Sequence, residues 1–470
     1  MGSAMEPGPP PVSGTPPAAR LPDPDALDAL LTGERARWGV PGAVVGVLAG
    51  GRTLVRAAGV TSLADPAPVT GDTPFRVASI TKPLAATVAA LLAQQRLLDL
   101  DAPVAAAVPG LRLASAAAQA AVTPRLLLAH LSGLECEPPH SVVEAAADDG
   151  ALARLAARFG EVGQLTPPGD VWSYCNAGYW LAGHACAVAA GAPFEQAAAD
   201  LLLRPLGMAA SGFVHDGVPP AGAALGHAPR TPGDPAHDVV PGYRFPRSRV
   251  PSGGLVSTVP DLLRFAALHL DAASPHAAAL AALREPLAEA PGYRWGTGWG
   301  VETWHRPAGD GGAGPGALAV AGHSGSYGGF QCRLVIVPER GLAAVVLTNS
   351  GRGSALVRSV LDHLLEECAG VRRHDPAPLA TPPDPAAFEG VYRAQNLDVE
   401  IRRHPDGRRL VGAQRGTLAT GEVVSPPPLE GVAVGPSSYA VTAGEARGAR
   451  FDFPGSGRVR LGMRLALRAG

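Results

Sequence analysis

Phe75-Arg76-Val77-Ala78-Ser79-Ile80-Thr81-Lys82 is the stretch on which the reading of this chain turns. The β-like run Phe75 to Val77 gives way to helical periodicity from Ser79 to Leu98, which puts Ser79 and Lys82 one turn apart at a helix start. Residues three apart on a helix have Cβ atoms roughly 5 to 6 Å apart, close enough for the lysine amine to reach the serine hydroxyl. That is a nucleophile and base pair. A serine at a helix N-terminus also turns its own amide N–H toward the place where an oxyanion develops in acyl transfer.

Composition sharpens this reading. Lys82 is the single lysine among 39 basic residues in a chain of 470. Arginine does not give up its proton inside a protein, whereas a desolvated lysine can act as a base, so the one retained amine stands where an amine is needed. Pro83 removes an early helical hydrogen bond and fits only if it falls within the first turn.

Two further elements supply what such a pair requires. Tyr174-Cys175-Asn176 follows Pro167-Pro168-Gly169 and precedes a helical pattern, Ala177 to Ala190. A phenol beside an ammonium is acidified by the charge and can relay a proton between Ser79 and a leaving group. Asn176 offers a carbonyl and an NH₂ to hold the lysine and a substrate amide. His323-Ser324-Gly325 follows the apolar run Leu318 to Ala321. On an edge strand His323 presents a donor to a substrate carboxylate or carbonyl, Gly325 lets a substrate lie against the backbone, and the Ser326 N–H completes an oxyanion hole with that of Ser79. His130 reads as a structural helix-end histidine. Trp295, Trp299 and Trp304 read as sheet core more readily than as cleft wall.

The remaining pattern sets the architecture. Pro24 is preceded by a Pro/Gly-rich stretch, so residues 1–24 are read as a leader without fixed structure, its first five residues as an added tag. A helix over Ala26 to Trp38, capped by Asp25, leads into a hairpin of Ala43 to Leu48 and Thr53 to Gly59. Helices follow at Arg125 to Leu131 behind the Thr123-Pro124 cap, Val142 to Phe159, Phe194 to Leu203 and Val259 to Leu270. Strands return at Trp299 to Trp304, Leu318 to Gly322, Gly329 to Val337 and Ala343 to Thr348, before a helix near Ser354 to Cys368. Strands at both ends with helices between them give an α/β (α+β) fold: an antiparallel sheet flanked by helices, with an inserted helical region, over residues 25–372. A Pro-rich linker at 373–385 leads to short alternating runs over 386–470, from Asp398 to Arg403 through Arg458 to Arg468, which read as a small antiparallel, lipocalin-like β-barrel.

A net charge of −2 with no basic block gives no reason to expect nucleic acid or an anionic membrane as partner. The apolar stretch Leu84 to Ala93 falls short of a bilayer span, and a cytoplasmic protein is expected. Five cysteines without metal-ligand spacing read as reduced thiols, and neither metal nor cofactor is expected. The expected partner is a small-molecule or peptide substrate, including a peptide borne on a carrier protein.

In order and spacing, S-x-x-K at Ser79, Y-x-N at Tyr174 and H-x-G at His323 resemble the serine β-lactamase and penicillin-binding-protein superfamily. Leu127 to Leu134, Pro205 to Met208 and Pro251 to Thr258 are similar to it as well, and the likeness runs over about residues 25 to 370. The resemblance implies Ser79 as nucleophile, Lys82 and Tyr174 as the acid/base pair, Asn176 as a positioner and His323 on the pocket wall. It implies an acyl-enzyme hydrolase or acyltransferase of the class that includes class C β-lactamases, D-aminopeptidases, esterases and penicillin-binding-protein-type thioesterases. Cys175 stands where serine is usual, Pro83 follows the lysine, and histidine replaces the lysine of K-T-G, which favours peptidase, esterase or acyl-transfer chemistry over β-lactam hydrolysis. Two other readings are weaker. An α/β-hydrolase would place its nucleophile elbow at Gly322 to Gly325 with Asp362 and His363 downstream, and a sensor would be acylated at Ser79 without turnover.

Overall fold

The computed structural model describes residues 19–136, 148–214, 217–229, 237–290, 292–306, 317–417, 423–443 and 446–469. Its central feature is an antiparallel sheet in which the hairpin Arg52–Gly59 and Gly42–Ala49 is joined to strands from much later in the chain: Leu342–Thr348, Phe330–Val337, Ala317–Tyr327 and Gly300–His305. Tyr293–Trp295 and Ala288–Ala290 finish one end, and Arg372–Arg373 pairs with Gly300–His305. Gly42–Ala49 is buried on both faces. Val45 and Val47 meet Leu27 and Leu31 of the helix Pro24–Trp38 and Leu361 of the helix Ser354–Ala369, whereas Val44 and Leu48 face the inserted helical region. Covering both faces explains why this strand is a continuous apolar run and does not alternate.

Within the insertion the helices Thr81–Gln94, Asn176–Ala190 and Val259–Leu270 share one core with the sheet. No helix among the described residues is long and apolar enough to cross a membrane.

Eight strands between Gly390 and Arg468 close into a barrel, since Leu397–Arg403 pairs with both Gly390–Ala394 and Leu410–Thr417 while Gly390–Ala394 pairs with Arg464–Arg468. Tyr392, Val399, Ile401, Tyr439, Phe451 and Leu461 fill its interior. The alternating runs were visible in the sequence, but Gly390–Ala394 and Leu429–Gly435 were not, and Arg458 to Arg468 is two strands joined at Gly462 and Met463.

Several boundaries differ from expectation. The first helix starts at Pro24 with Asp23, not Asp25, as its cap, because the Asp23 carboxylate accepts from the amides of Asp25 and Ala26. The described residues begin at Ala19, whose amide donates to the Arg340 carbonyl, so residues 19–24 do not fit the expectation of a segment without fixed structure. The helix after Thr123 stops at Leu128. The helix expected over Val142 to Phe159 lies outside the described residues up to position 147, and of the remainder only Ala151–Ala157 is α-helical, with a 3₁₀ turn beginning at Phe159. Phe194 to Leu203 is an α-turn that widens into a π-helix at Ala199–Leu203.

Candidate active site

Ser79 lies on a short 3₁₀ turn, Ala78–Ile80, between the strand Phe75–Arg76 and the helix that begins at Thr81. Ala78 has φ +45°, a conformation that costs an L-residue about 1 to 2 kcal/mol and tilts the next side chain away from the strand line. Lys82 and Pro83 then fall in the first helical turn, where the missing proline N–H has no intrahelical partner to lose.

Three groups converge. Lys82 Nζ lies 3.1 Å from Ser79 Oγ, and the Tyr174 hydroxyl lies 3.0 Å from the same oxygen. Lys82 is fully buried, whereas Ser79 keeps access to the cleft. Nζ also donates to the Ser252 carbonyl at 2.7 Å and sits 4.9 Å and 5.2 Å from the ring centres of Tyr174 and Tyr179. Ser252 is held in turn by the Trp180 indole and by its own bond to the Arg249 carbonyl.

Asn176 is the first residue of the helix Asn176–Ala190 and lines the cleft. Cys175 caps that helix through its sulfur, which accepts from the Gly178 amide at 3.3 Å, so the thiol takes over the capping task of a serine. His130 fixes the same turn from behind. Its Nδ1 accepts from the Cys175 amide at 2.9 Å, its ring lies 4.4 Å from that of Tyr174, and it is 1% exposed. It is therefore a structural residue, as the sequence suggested.

The third element is not an elbow. Gly322 to Gly325 lies inside the strand Ala317–Tyr327, which removes the α/β-hydrolase geometry. Beyond Gly322 this strand has a neighbour on one side only, because its pairing with Gly300–His305 ends there. His323, Ser324 and Ser326 line the cleft with Ser79, Tyr174 and Asn176.

Two expectations for this strand are corrected. His323 does not present a donor. Its Nδ1 lies 2.6 Å from the Ser324 carbonyl, which can only accept, and burial, followed by the Lys82 charge, pushes its pKa down to about 3. The neutral ring carries its proton on Nδ1 and offers Nε2 as an acceptor. Gly325 does not open the strand to substrate either. A Cβ there would run into the Val77 carbonyl oxygen and lie 2.8 Å from Cys332 Sγ, so the glycine lets the strand pack against the nucleophile turn.

The cleft, of about 460 Å³, has walls the sequence reading missed. Tyr293 and Trp295 line it, so Trp295 belongs to the cleft while Trp299 and Trp304 are core. Gln414, Met463 and Arg464 come from the barrel. Nothing local in the sequence marks these three, since only barrel closure brings them over Ser79. Among the described residues no three His, Cys, Asp or Glu side chains come together as a metal set.

Comparison with known proteins agrees with this geometry. The family model described as Beta-lactamase matches residues 27–367. "Penicillin-binding protein 4" of Amycolatopsis lactamdurans is 32% identical over 388 residues, which span 79% of this chain and 97% of that protein. "Esterase EstB" of Burkholderia gladioli is 30% identical over 365 residues, 69% of this chain and 90% of the relative. A solved structure of SurE with D-Leu superposes with a TM-score of 0.68 at 26% identity, covering 95% of this chain and 99% of that one, barrel included. The match over residues 27–367, with relatives aligned over nearly their whole length, places the chain in the beta-lactamase family, and it is a serine hydrolase.

Proposed function

We propose that Ser79 forms an acyl-enzyme with an ester, thioester or amide of a small or peptidic substrate, in the manner of an esterase or D-amino-acid peptidase. The convergence of Lys82 Nζ and the Tyr174 hydroxyl on Ser79 Oγ carries this reading. Lys82 and Tyr174 take the hydroxyl proton as Oγ bonds to the acyl carbon. Tyr174 passes it to the departing oxygen, sulfur or nitrogen as that bond breaks. Water or an amine then attacks the acyl carbon, its proton returns through the same pair, and Ser79 is released with its hydroxyl restored. The Ser79 and Ser326 amides are the groups that would stabilise the oxyanion, Asn176 forms part of the substrate wall, and Gly325 lets the strand that carries Ser326 pack against the nucleophile turn.

D-amino-acid recognition draws on the relative solved with D-Leu, and ester cleavage on EstB. A second reading, a penicillin-binding-protein-type thioesterase that releases or macrocyclises a nonribosomal peptide, is supported by the barrel residues Gln414, Met463 and Arg464, which add a wall from a second unit to the cleft. Intact-mass detection of acyl adducts across esters, D-amino amides, β-lactams and peptidyl thioesters tests both. An adduct absent from Ser79→Ala supports the nucleophile, and cyclic product from a peptidyl thioester selects the second reading. Turnover with no dependence on Ser79 rejects both.

A further inference from the structure

The phenol that touches Ser79 belongs to the segment Ser173 to Cys175, whose last residue is extended, with φ −136° and ψ 111°. Consecutive amides of an extended chain point to opposite sides. The Tyr174 amide turns toward the barrel and meets the Met463 carbonyl. The amides before and after it both end on one residue, His130. That of Ser173 donates to the His130 carbonyl at 3.0 Å, and that of Cys175 donates to His130 Nδ1 at 2.9 Å.

The backbone of His130 is bent for this double contact. Its φ of +61° is left-handed, a conformation uncommon outside glycine and found among other residues mostly in asparagine, aspartate and histidine. A residue held this way persists where its surroundings over-determine it. His130 is 1% exposed, and its ring is packed among those of Trp172, Tyr174, Tyr179 and Trp295, with centres between 4.4 and 5.8 Å away.

The contact also fixes the state of the ring. Because Nδ1 accepts, the imidazole is neutral with its proton on Nε2, and a cation would carry a proton on Nδ1 and lose the Cys175 bond. Burial first, and the Lys82 charge second, hold the pKa well below 6.5 and keep that lone pair available. His130 is not among the cleft-lining residues, so whatever it does for the reaction it does through Tyr174.

We propose that His130 is a positioning residue for acyl transfer, which grips the amides on either side of Tyr174 and thereby aims the phenol at Ser79 Oγ and at the leaving group that it protonates. This inference rests on the acyl-enzyme reading above. It gives His130 a share in the rate that goes beyond the stability of its turn.

The test compares two side chains of one shape. In His130→Asn, Oδ1 takes the place of Nδ1, and asparagine tolerates the left-handed backbone. His130→Leu has the same branched skeleton without the acceptor, and neither variant refills the aromatic cage. The rates are kcat/KM for the methyl and p-nitrophenyl esters of one N-acyl-D-amino acid. Methanol departs only with a proton, whereas p-nitrophenolate departs without one, so the ratio of methyl to p-nitrophenyl reads leaving-group protonation by Tyr174. A merely structural role lowers both rates alike and leaves the ratio unchanged. The ratio is expected to fall about tenfold in His130→Leu and to stay within about threefold of the unaltered enzyme in His130→Asn. His130→Gly, which also lacks the acceptor but adopts the left-handed backbone without strain, replaces His130→Leu if that protein does not fold. An unchanged ratio in the folded variant without the acceptor, or an equal fall in His130→Asn, overturns the positioning role while leaving Ser79 acylation intact. Failure of both esters to acylate Ser79 in the unaltered enzyme overturns the acyl-enzyme reading instead.

Discussion

The amide of Tyr174 donates to the carbonyl of Met463 at 2.9 Å, so the barrel at the end of the chain holds the backbone of the phenol that touches Ser79. Three neighbouring contacts run alongside. The Leu465 amide donates to Ser173 Oγ, Arg460 to the Trp172 carbonyl, and Arg458 pairs with Asp170. One barrel hairpin thus lines the segment from Asp170 to Tyr174.

Arg460 is the lever in that contact. It is 5% exposed, binds both carboxylate oxygens of the buried Asp452 and donates its remaining nitrogen to Trp172. Arg460→Gln strands the Asp452 charge and should cost about 3 kcal/mol, read as a lowered urea midpoint. It should also lower kcat about tenfold through the loosened Tyr174 segment. The double change Arg460→Met with Asp452→Leu removes the stranded charge and should recover most of the stability but not the rate. Full kcat in that double variant would show that Arg460 does not position Tyr174.

Ser79→Ala should abolish labelling by an active-site serine probe. Lys82→Arg should lower kcat about a thousandfold, because a guanidinium in the buried site between Ser79 and the Ser252 carbonyl cannot accept the hydroxyl proton. Pre-steady-state acylation rates measure this directly, and near-normal acylation in Lys82→Arg removes lysine from the role of base. A labelled Ser79 that is never freed would mark a sensor and not a turnover enzyme.

Much of this site was legible because its chemistry sits in short local patterns. One helical turn fixes Ser79 against Lys82, and a helix start fixes Tyr174 beside Asn176. The central sheet was legible from its apolar runs, since strands buried on both faces have few polar interruptions. What escaped were features set by contacts far apart in sequence. The Ser252 carbonyl reaches Lys82 across 170 residues, and Trp295 lines the cleft from a strand paired between Gly300–His305 and Ala288–Ala290, a placement only the sheet order reveals. The tautomer of His323 depends on one carbonyl distance that no sequence pattern encodes.

Acid should destabilise this protein early. Burial first, and the charge of Lys82 second, hold His130 well below its ordinary 6.5 and His323 near 3, while burial and then Arg284 hold His269 near 3. Their folded pKa values are depressed, so the unfolded chain binds more protons below about 6.5, down to about 3 for His323 and His269. The stability these neutral rings contribute is complete above 6.5 and is lost as pH falls through that window. His323 and His269 each contribute a slope of about 1.4 kcal/mol per pH unit, or about 2 kcal/mol between pH 6.5 and 5, and His130 adds in the same direction. Urea midpoints at pH 7 and pH 5 read the total, and His323→Gln should flatten the dependence by about one proton. An unchanged slope in that variant would mean that His323 is protonated in the folded protein. For the same reason, no inflection in kcat/KM between pH 5 and 8 should belong to His323.

Gly325→Ala distinguishes the two roles weighed for the third element. If the glycine merely kept the strand clear for a substrate, a methyl group would raise KM and leave the nucleophile undisturbed. In the structure the added Cβ points away from the cleft, at the carbonyl of Val77 and at Cys332 Sγ 2.8 Å away, and neither can yield freely. Cys332 is 3% exposed and lies against the Val77 carbonyl, and Val77 immediately precedes the strained Ala78 that aims Ser79. Relief has to come from displacing the nucleophile turn from the strand, which parts Ser79 Oγ from any oxyanion donor on Ser326. The expected result is an overpacking loss of about 2 kcal/mol in the urea midpoint together with a fall in kcat of about a hundredfold, with KM for a neutral ester changed little. A raised KM with kcat preserved would return Gly325 to the substrate wall and separate the nucleophile turn from the strand beside it.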